Sequence, residues 1–152
     1  GLCRTRAGTQ PLPGCKHLNR IENVLARMEW GADWDEGLML DATGRAVCGT
    51  QSNLFILEKG ILLTPSLKRS GIEGTRRAWL LEHARRAGIG VREEALPLAR
   101  VRAADAMFFS NARIGLRRAI WIDRIPSLAD PRPSGGLLDD LEALGVEMHA
   151  LA

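Results

Sequence analysis

The stretch GLMLDATGRAVCGTQSNLFILEKGILLTP, residues 37–65, decides the fold that the sequence predicts. It contains four short runs rich in Leu, Ile, Val and Phe, of the kind that forms β-strands. The first two runs are joined by Asp41-Ala-Thr-Gly44, which is typical of a tight turn, and the last two by Glu58-Lys-Gly60. The sequence therefore predicts two consecutive β-hairpins, with strands over residues 37–41, 46–50, 53–57 and 61–64.

Helical patterns flank these hairpins on both sides. Upstream, an apolar stripe at helical spacing predicts an amphipathic helix, and Asn19 followed by Glu22 resembles a capping box. Its apolar residues are Leu18, Ile21, Leu25 and Met28. Downstream, Gly74 and Gly88 bracket a predicted helix over residues 75–87.

Weaker patterns complete the prediction. Residues 1–15 read as an extended linker, and because the chain starts at Gly1 we expect further sequence upstream. The whole predicts a single α+β domain. The remaining predicted elements are a strand at 89–91, a short helix at 98–104, strands at 107–110 and 119–123, and a terminal helix near 137–144.

Composition narrows the classes of function. With 45% hydrophobic and 26% charged residues over 152 positions, the chain is typical of globular proteins, and no apolar run approaches a membrane span. No signal peptide pattern is present, so we expect a cytoplasmic protein. The net charge of +3 is scattered in short pairs, which does not favour nucleic-acid binding. The three cysteines and three histidines lack metal-ligand spacing and predict reduced thiols and no metal.

Lysine chemistry has few candidates, because the chain contains only Lys16, Lys59 and Lys68. Lys16 precedes a predicted helix, whose positive end disfavours the charged amine and so favours the neutral form that a Schiff-base lysine needs. Taken alone, the spacing is more typical of an ordinary surface lysine. Gly74 and Thr75 open the second helix, where free backbone N–H groups favour an anion such as phosphate, although a plain helix start is the simpler reading.

Five blocks occur in a fixed order along the chain. They are Gly14-Cys-Lys-His-Leu-Asn-Arg-Ile-Glu22, Asp35-Glu-Gly-Leu-Met-Leu-Asp41, Gly49-Thr-Gln-Ser-Asn-Leu-Phe55, Thr64-Pro65 and Gly71-Ile-Glu-Gly-Thr-Arg76. In order and spacing they resemble the fold-type IV pyridoxal-phosphate enzymes, related to D-amino-acid aminotransferases. The first block is most similar to that of aminodeoxychorismate lyases. The resemblance covers residues 14–111.

The resemblance implies the large C-terminal domain of such an enzyme over residues 16–152, a mostly antiparallel or mixed, barrel-like sheet with flanking helices. It implies pyridoxal 5'-phosphate as cofactor, bound covalently by Lys16, which is also the catalytic acid and base. It implies a homodimer acting on a small-molecule substrate, and a lyase that converts 4-amino-4-deoxychorismate into 4-aminobenzoate and pyruvate for folate synthesis. The other implied cofactor contacts are Cys48, Ser52, Asn53, Gly74, Thr75 and Asn111.

Three departures from the family pattern leave rivals open. Cys48 stands where the family usually has a glutamate that pairs with the pyridine nitrogen, and a thiol cannot supply that ion pair. Two arginines, Arg117 and Arg118, interrupt an expected apolar run, and the family's smaller upstream domain has no counterpart in residues 1–15. The rivals are a branched-chain or D-amino-acid aminotransferase of the same fold and a non-catalytic, dimerising remnant.

Overall fold

The computed structural model describes residues 1–31, 34–119, 121–122 and 125–126, and its α+β architecture confirms the predicted fold class. No helix within these ranges is long and apolar enough to cross a membrane. The helices are α1 (Ile21–Arg27), α2 (Thr75–Arg86) and α3 (Leu98–Arg102). The strands are β1 (Leu38–Leu40), β2 (Arg45–Gly49), β3 (Asn53–Glu58), β4 (Ile61–Pro65), β5 (Gly90–Glu94), β6 (Leu96–Pro97), β7 (Ala106–Asn111), β8 (Gly115–Ala119), β9 (Trp121–Ile122) and β10 (Ile125–Pro126).

Both predicted hairpins are confirmed. β1 pairs antiparallel with β2, and the Asp41 carboxylate closes their turn by accepting the backbone N–H groups of Thr43 (2.8 Å) and Arg45 (3.0 Å). β3 pairs antiparallel with β4, and the turn between them places Lys59 and Gly60 at positive φ, 50° and 78°. Local turn chemistry therefore sets the order of the first four strands.

Strands β1 to β8 form one eight-stranded sheet that contains both antiparallel and parallel pairs. Its main path runs β1-β2-β3-β4-β5, with β6 beside β2 and with β7 between β3 and β8. All pairs are antiparallel except β4 with β5, which α2 connects as a crossover. A separate two-stranded ribbon joins β9 to β10.

Both faces of the central strands are buried, because alternate residues of β3 enter different cores. Leu54 and Ile56 belong to a core that includes Phe109 and is covered by α3 through Val101. Phe55 and Leu57 belong to the other core, which is covered by α2. The α2 residues in that core are Leu80, Leu81 and Ala84. The predicted helix at 75–87 is thus confirmed, and it packs with its N-terminus near the start of β3.

The first helix differs from its prediction in start, cap and orientation. It begins at Ile21, its N-cap is Arg20 without a side-chain hydrogen bond, and the capping box is therefore wrong. The helix buries Asn23 and Ala26, because Asn23 Nδ2 donates to Thr50 O (2.9 Å) and Ala26 packs closely against a small core. The predicted apolar stripe is exposed instead: Leu18 102%, Ile21 61%, Leu25 49% and Met28 75%.

The C-terminal predictions have mixed outcomes. The helix at 98–104 and the strand at 107–110 correspond to α3 and β7. β8 was not predicted, and the predicted strand at 119–123 is wrong in extent, since Ala119 ends β8 and Trp121–Ile122 forms the ribbon. The terminal helix near 137–144 lies outside the described residues.

Candidate functional site

The segment that carries Lys16 runs beside the segment that opens α2. Gly14 forms a parallel bridge with Ile72: Gly14 N donates to Gly71 O (3.1 Å), and Glu73 N donates to Gly14 O (2.8 Å). Two residues further in the same direction come Lys16 on one segment and Gly74 on the other. The Lys16 side chain is exposed. The fold therefore brings together the predicted lysine and the predicted phosphate-binding turn, which are 58 residues apart in sequence.

The N-terminus of α2 has the character of an anion site. Gly74 is the N-cap, no side chain caps the helix, and its first turn holds no acidic residue. A Cβ on Gly74 would lie 2.4 Å from Asn53 Oδ1, so a side chain at position 74 would fill the approach to the helix end. Asn53 in turn donates from Nδ2 to Ile72 O (2.7 Å). Free N–H groups and the positive end of the helix dipole there suit a phosphate.

Residues 49–52 form the turn between β2 and β3, which contains one predicted cofactor contact, Ser52, and is bonded by another, Asn111. The Ser52 hydroxyl donates to Glu36 Oε2 (2.6 Å), so this hydroxyl is already hydrogen-bonded to the protein. Asn111, at the end of β7, donates from Nδ2 to Gln51 O (3.1 Å). Both side chains thus help to hold the turn in place.

Cys48 is buried at the end of β2, directly opposite Asn53 in the neighbouring strand. Burial raises the pKa of its thiol to about 12, so the side chain is neutral at physiological pH. The charged groups that also act on its pKa include Arg20 and Glu22, which lie 3.9 Å apart near Gln10. The thiol cannot serve as an ionic partner, as its residue type implied.

A cavity of about 720 Å³ borders the 49–52 turn at Gln51. Gln51 and Asn111 contribute to its lining, together with Arg113, Arg117 and Arg118, whereas Lys16, Gly74 and Thr75 do not. Arg117 and Arg118, the two arginines that interrupt the expected apolar run, therefore contribute to the lining of this cavity, and Lys16 does not. Among the described residues, no cluster of His, Cys, Asp and Glu is arranged to hold a metal ion.

The sequence pointed to two segments, those of Lys16 and Gly74, that lie side by side in the structure. It did not point to several residues that shape this region. Glu36 was quoted within a family block without a role, yet its carboxylate contacts the whole 49–52 turn. Arg77 was also missed: it is 1% exposed and donates to Pro65 O (3.1 Å) and Glu93 Oε2 (2.8 Å), which ties α2 to the sheet. The available signal was an acidic residue just upstream of a strand, facing a Thr-Gln-Ser turn rich in donors.

The chain is similar in sequence to known proteins. A family model for amino-transferase class IV matches residues 2–120. The chain is 35% identical over 118 residues to an aminodeoxychorismate lyase of Vibrio harveyi, covering 76% of this chain and 44% of that protein. It is 35% identical over 92 residues to a branched-chain-amino-acid aminotransferase of Escherichia coli, covering 60% of this chain and 30% of that protein.

A solved structure extends the likeness to the fold. The 4-amino-4-deoxychorismate lyase of Pseudomonas aeruginosa superposes with a TM-score of 0.81 at 40% identity, covering 93% of this chain and 53% of that one. The chain therefore spans about half the length of the relatives it matches.

Proposed function

Because this chain belongs to the aminotransferase class IV family, whose members depend on pyridoxal phosphate, we propose that it is the cofactor-binding part of an aminodeoxychorismate lyase. The observation that supports the proposal is the parallel bridge between Gly14 and Ile72, which runs the segment containing Lys16 alongside the segment that opens α2. The reaction would convert 4-amino-4-deoxychorismate into 4-aminobenzoate and pyruvate, a step of folate synthesis. The likeness to lyases at 35% and 40% identity supports this substrate.

The residues present fit the cofactor at its phosphate and at its aldehyde. Backbone N–H groups of Gly74 and Thr75, with the Thr75 hydroxyl, would hold the phosphate, and Lys16 Nζ would bind the aldehyde carbon. Asn53 and Asn111 would fix the backbone around the phosphate, since each is hydrogen-bonded to a neighbouring loop. Bound pyridoxal phosphate supplies an electron sink for the carbon that bears the substrate's amino group.

Lys16 would move the proton in the reaction. Once the substrate's amino group has freed it from the cofactor, Nζ would take a proton from the carbon bearing that group; the bond from the ring carbon to the enolpyruvyl oxygen would break, and the departing enolpyruvate would take up a proton to become pyruvate. The remaining ring becomes aromatic as 4-aminobenzoate, which drives the step. Atoms balance without an oxidant or a second substrate.

Cys48 favours a lyase over an aminotransferase. Amino-group exchange relies on a protonated pyridine nitrogen, whereas a reaction that ends in an aromatic product can proceed with a weaker electron sink. The neutral, buried thiol fits the second case. The aminotransferase stays the second candidate because a relative in that class is also 35% identical.

Assembly and location belong to the same proposal: a cytoplasmic homodimer. The exposed apolar stripe of α1, including Met28 at 75% exposure, supports burial against another surface, because exposed apolar groups of this size commonly mark interfaces. Sedimentation of the purified protein would measure its mass directly; a monomer at micromolar concentration would contradict the homodimer.

The decisive experiment mixes the chain with pyridoxal phosphate and follows the visible absorbance of the lysine-bound cofactor. We expect Lys16→Ala to abolish this band and Lys59→Ala, at a hairpin tip, to leave it unchanged. Release of fluorescent 4-aminobenzoate from 4-amino-4-deoxychorismate then distinguishes a lyase from an aminotransferase, and from a non-catalytic remnant. An unchanged band in Lys16→Ala would refute the assignment.

A further inference from the structure

The carboxylate of Glu36 accepts five hydrogen bonds, and four of them come from the 49–52 turn. Oε1 accepts from Gly37 N (2.9 Å), Thr50 N (2.9 Å) and Thr50 Oγ1 (2.5 Å). Oε2 accepts from Gln51 N (3.3 Å) and Ser52 Oγ (2.6 Å). An ionised carboxylate is a stronger acceptor than a neutral group, so this cluster of donors is held by charge as well as by geometry.

The turn is built around this carboxylate. Gly49 N donates to Ser52 O (2.8 Å), which closes the turn, and Thr50 N also donates to Gly37 O (3.0 Å). A Cβ on Gly49 would lie 2.2 Å from Ser52 Oγ and 2.7 Å from Glu36 Cδ. Only glycine leaves room at position 49 for the carboxylate and the hydroxyl to meet.

From this turn, contacts run in two directions to the proposed cofactor residues. The next residue after the turn is Asn53, whose Nδ2 donates to Ile72 O (2.7 Å) and whose Oδ1 lies against Gly74. On the other side, Gln51 O accepts from Asn111 Nδ2 (3.1 Å), and Asn111 Oδ1 accepts the backbone N–H groups of Arg113 and Ile114. A displacement of the turn would therefore move both Asn53 and Asn111.

We propose that Glu36 is the positioning residue for the phosphate-binding end of α2, acting through the 49–52 turn and Asn53. The proposal rests on the proposed function for its ligand. Both oxygens of Glu36 accept hydrogen bonds from the protein, so its effect on the cofactor would be transmitted through the turn rather than by direct contact. Loss of its charge should weaken the chain of contacts that runs from Thr50 through Asn53 to Thr75.

The test compares Glu36→Gln with Glu29→Gln in the full chain. Glutamine keeps the size of the side chain but presents an NH₂ group to donors that need an acceptor. Glu29 is a matched control, because its carboxylate also accepts two backbone N–H bonds, from Arg4 (2.5 Å) and Thr5 (2.6 Å), far from the turn in sequence.

The first measurement uses the unliganded protein, followed by NMR. In Glu36→Gln we expect chemical-shift changes in the Asn53 side-chain amide and in the backbone amides of Gly74 and Thr75. We also expect the affinity for inorganic phosphate, measured by titration at these amides, to be roughly tenfold weaker. In Glu29→Gln these signals should match those of the unmodified chain. Perturbations that stop at Ser52, with phosphate response unchanged, would overturn the proposal.

The second measurement separates this proposal from the proposed function. We expect the dissociation constant for pyridoxal phosphate to rise roughly tenfold in Glu36→Gln, with the Lys16-dependent band still formed at saturation. If the unmodified chain forms no such band but the Gly74 and Thr75 amides still respond to Glu36→Gln, the proposed function fails and the positioning role stands. Should Glu36→Gln not fold, Ser52→Ala and Thr50→Val each remove one hydroxyl bond and should give smaller shifts at the same amides.

Discussion

Replacing Gly74 with alanine tests the packing at the start of α2 most directly. The backbone there, φ −69° and ψ 142°, is open to alanine, so the substitution brings no backbone strain. The new Cβ would lie 2.4 Å from Asn53 Oδ1, and the Asn53 side chain, 7% exposed, must turn away and release Ile72 O.

The magnitude follows from two opposing effects. Leaving a buried polar group without its hydrogen bond costs about 1–3 kcal/mol. Alanine reduces the conformational freedom of the unfolded chain, which offsets about 0.4–1 kcal/mol. We therefore expect Gly74→Ala to lower the free energy of unfolding by about 1–2 kcal/mol, to be read from urea denaturation as a lower midpoint with an unchanged slope.

Two further variants identify the cause. Gly8→Ala is the matched control, because a Cβ there would meet no atom within 4 Å, and it should be neutral or slightly stabilising. In an Asn53→Ala background the same Gly74→Ala change should cost little, since the conflicting oxygen is gone, and the double-mutant cycle should show coupling of about 1 kcal/mol. A Gly74→Ala protein as stable as the unmodified chain, or a cycle without coupling, would refute the reasoning.

Two other predictions concern thiols and pH. Burial raises the pKa values of the Cys3 and Cys48 thiols to about 12, so a thiol reagent at pH 8 should modify the exposed Cys15 alone in the native protein and all three cysteines in denaturant; rapid modification of two or more in the native state would contradict this. The hydrogen bonds from Arg100 hold the pKa of Glu58 below its ordinary 4.5, so Glu58 contributes stability above that pH and loses it as the pH falls through the lower folded-state value. The difference in urea midpoint between the unmodified chain and Glu58→Gln should therefore be largest at neutral pH and shrink toward pH 3; a constant difference would exclude Glu58 as its source.

Much of the fold follows from local sequence. The two hairpins depend on turn residues such as Asp41 and Gly44, whose conformational preferences are properties of the residues themselves. The helix at 75–86 follows from its flanking glycines, and Gly88 has the predicted positive φ of 78°. These elements were predictable because their causes lie within a few residues of one another.

The candidate site was predictable only as a set of residues, through the ordered family blocks. Their arrangement was not, because the parallel bridge between Gly14 and Ile72 joins segments that no local pattern connects. The role of Ser52 also changed: as a residue type it suits a phosphate contact, but in the structure its hydroxyl donates to Glu36.

By itself, the sequence determined the strand order of the hairpins, the second helix and the family, and it predicted the lysine that we propose binds the cofactor. Only the tertiary structure decided which side of α1 is buried, since Asn23 donates to the carbonyl of Thr50 and the predicted apolar stripe stays exposed. It also brought the Glu36 carboxylate within hydrogen-bonding distance of the 49–52 turn. The physical reason is that turn and helix preferences are short-range, whereas a buried hydrogen bond or an exposed face depends on which distant segment lies opposite.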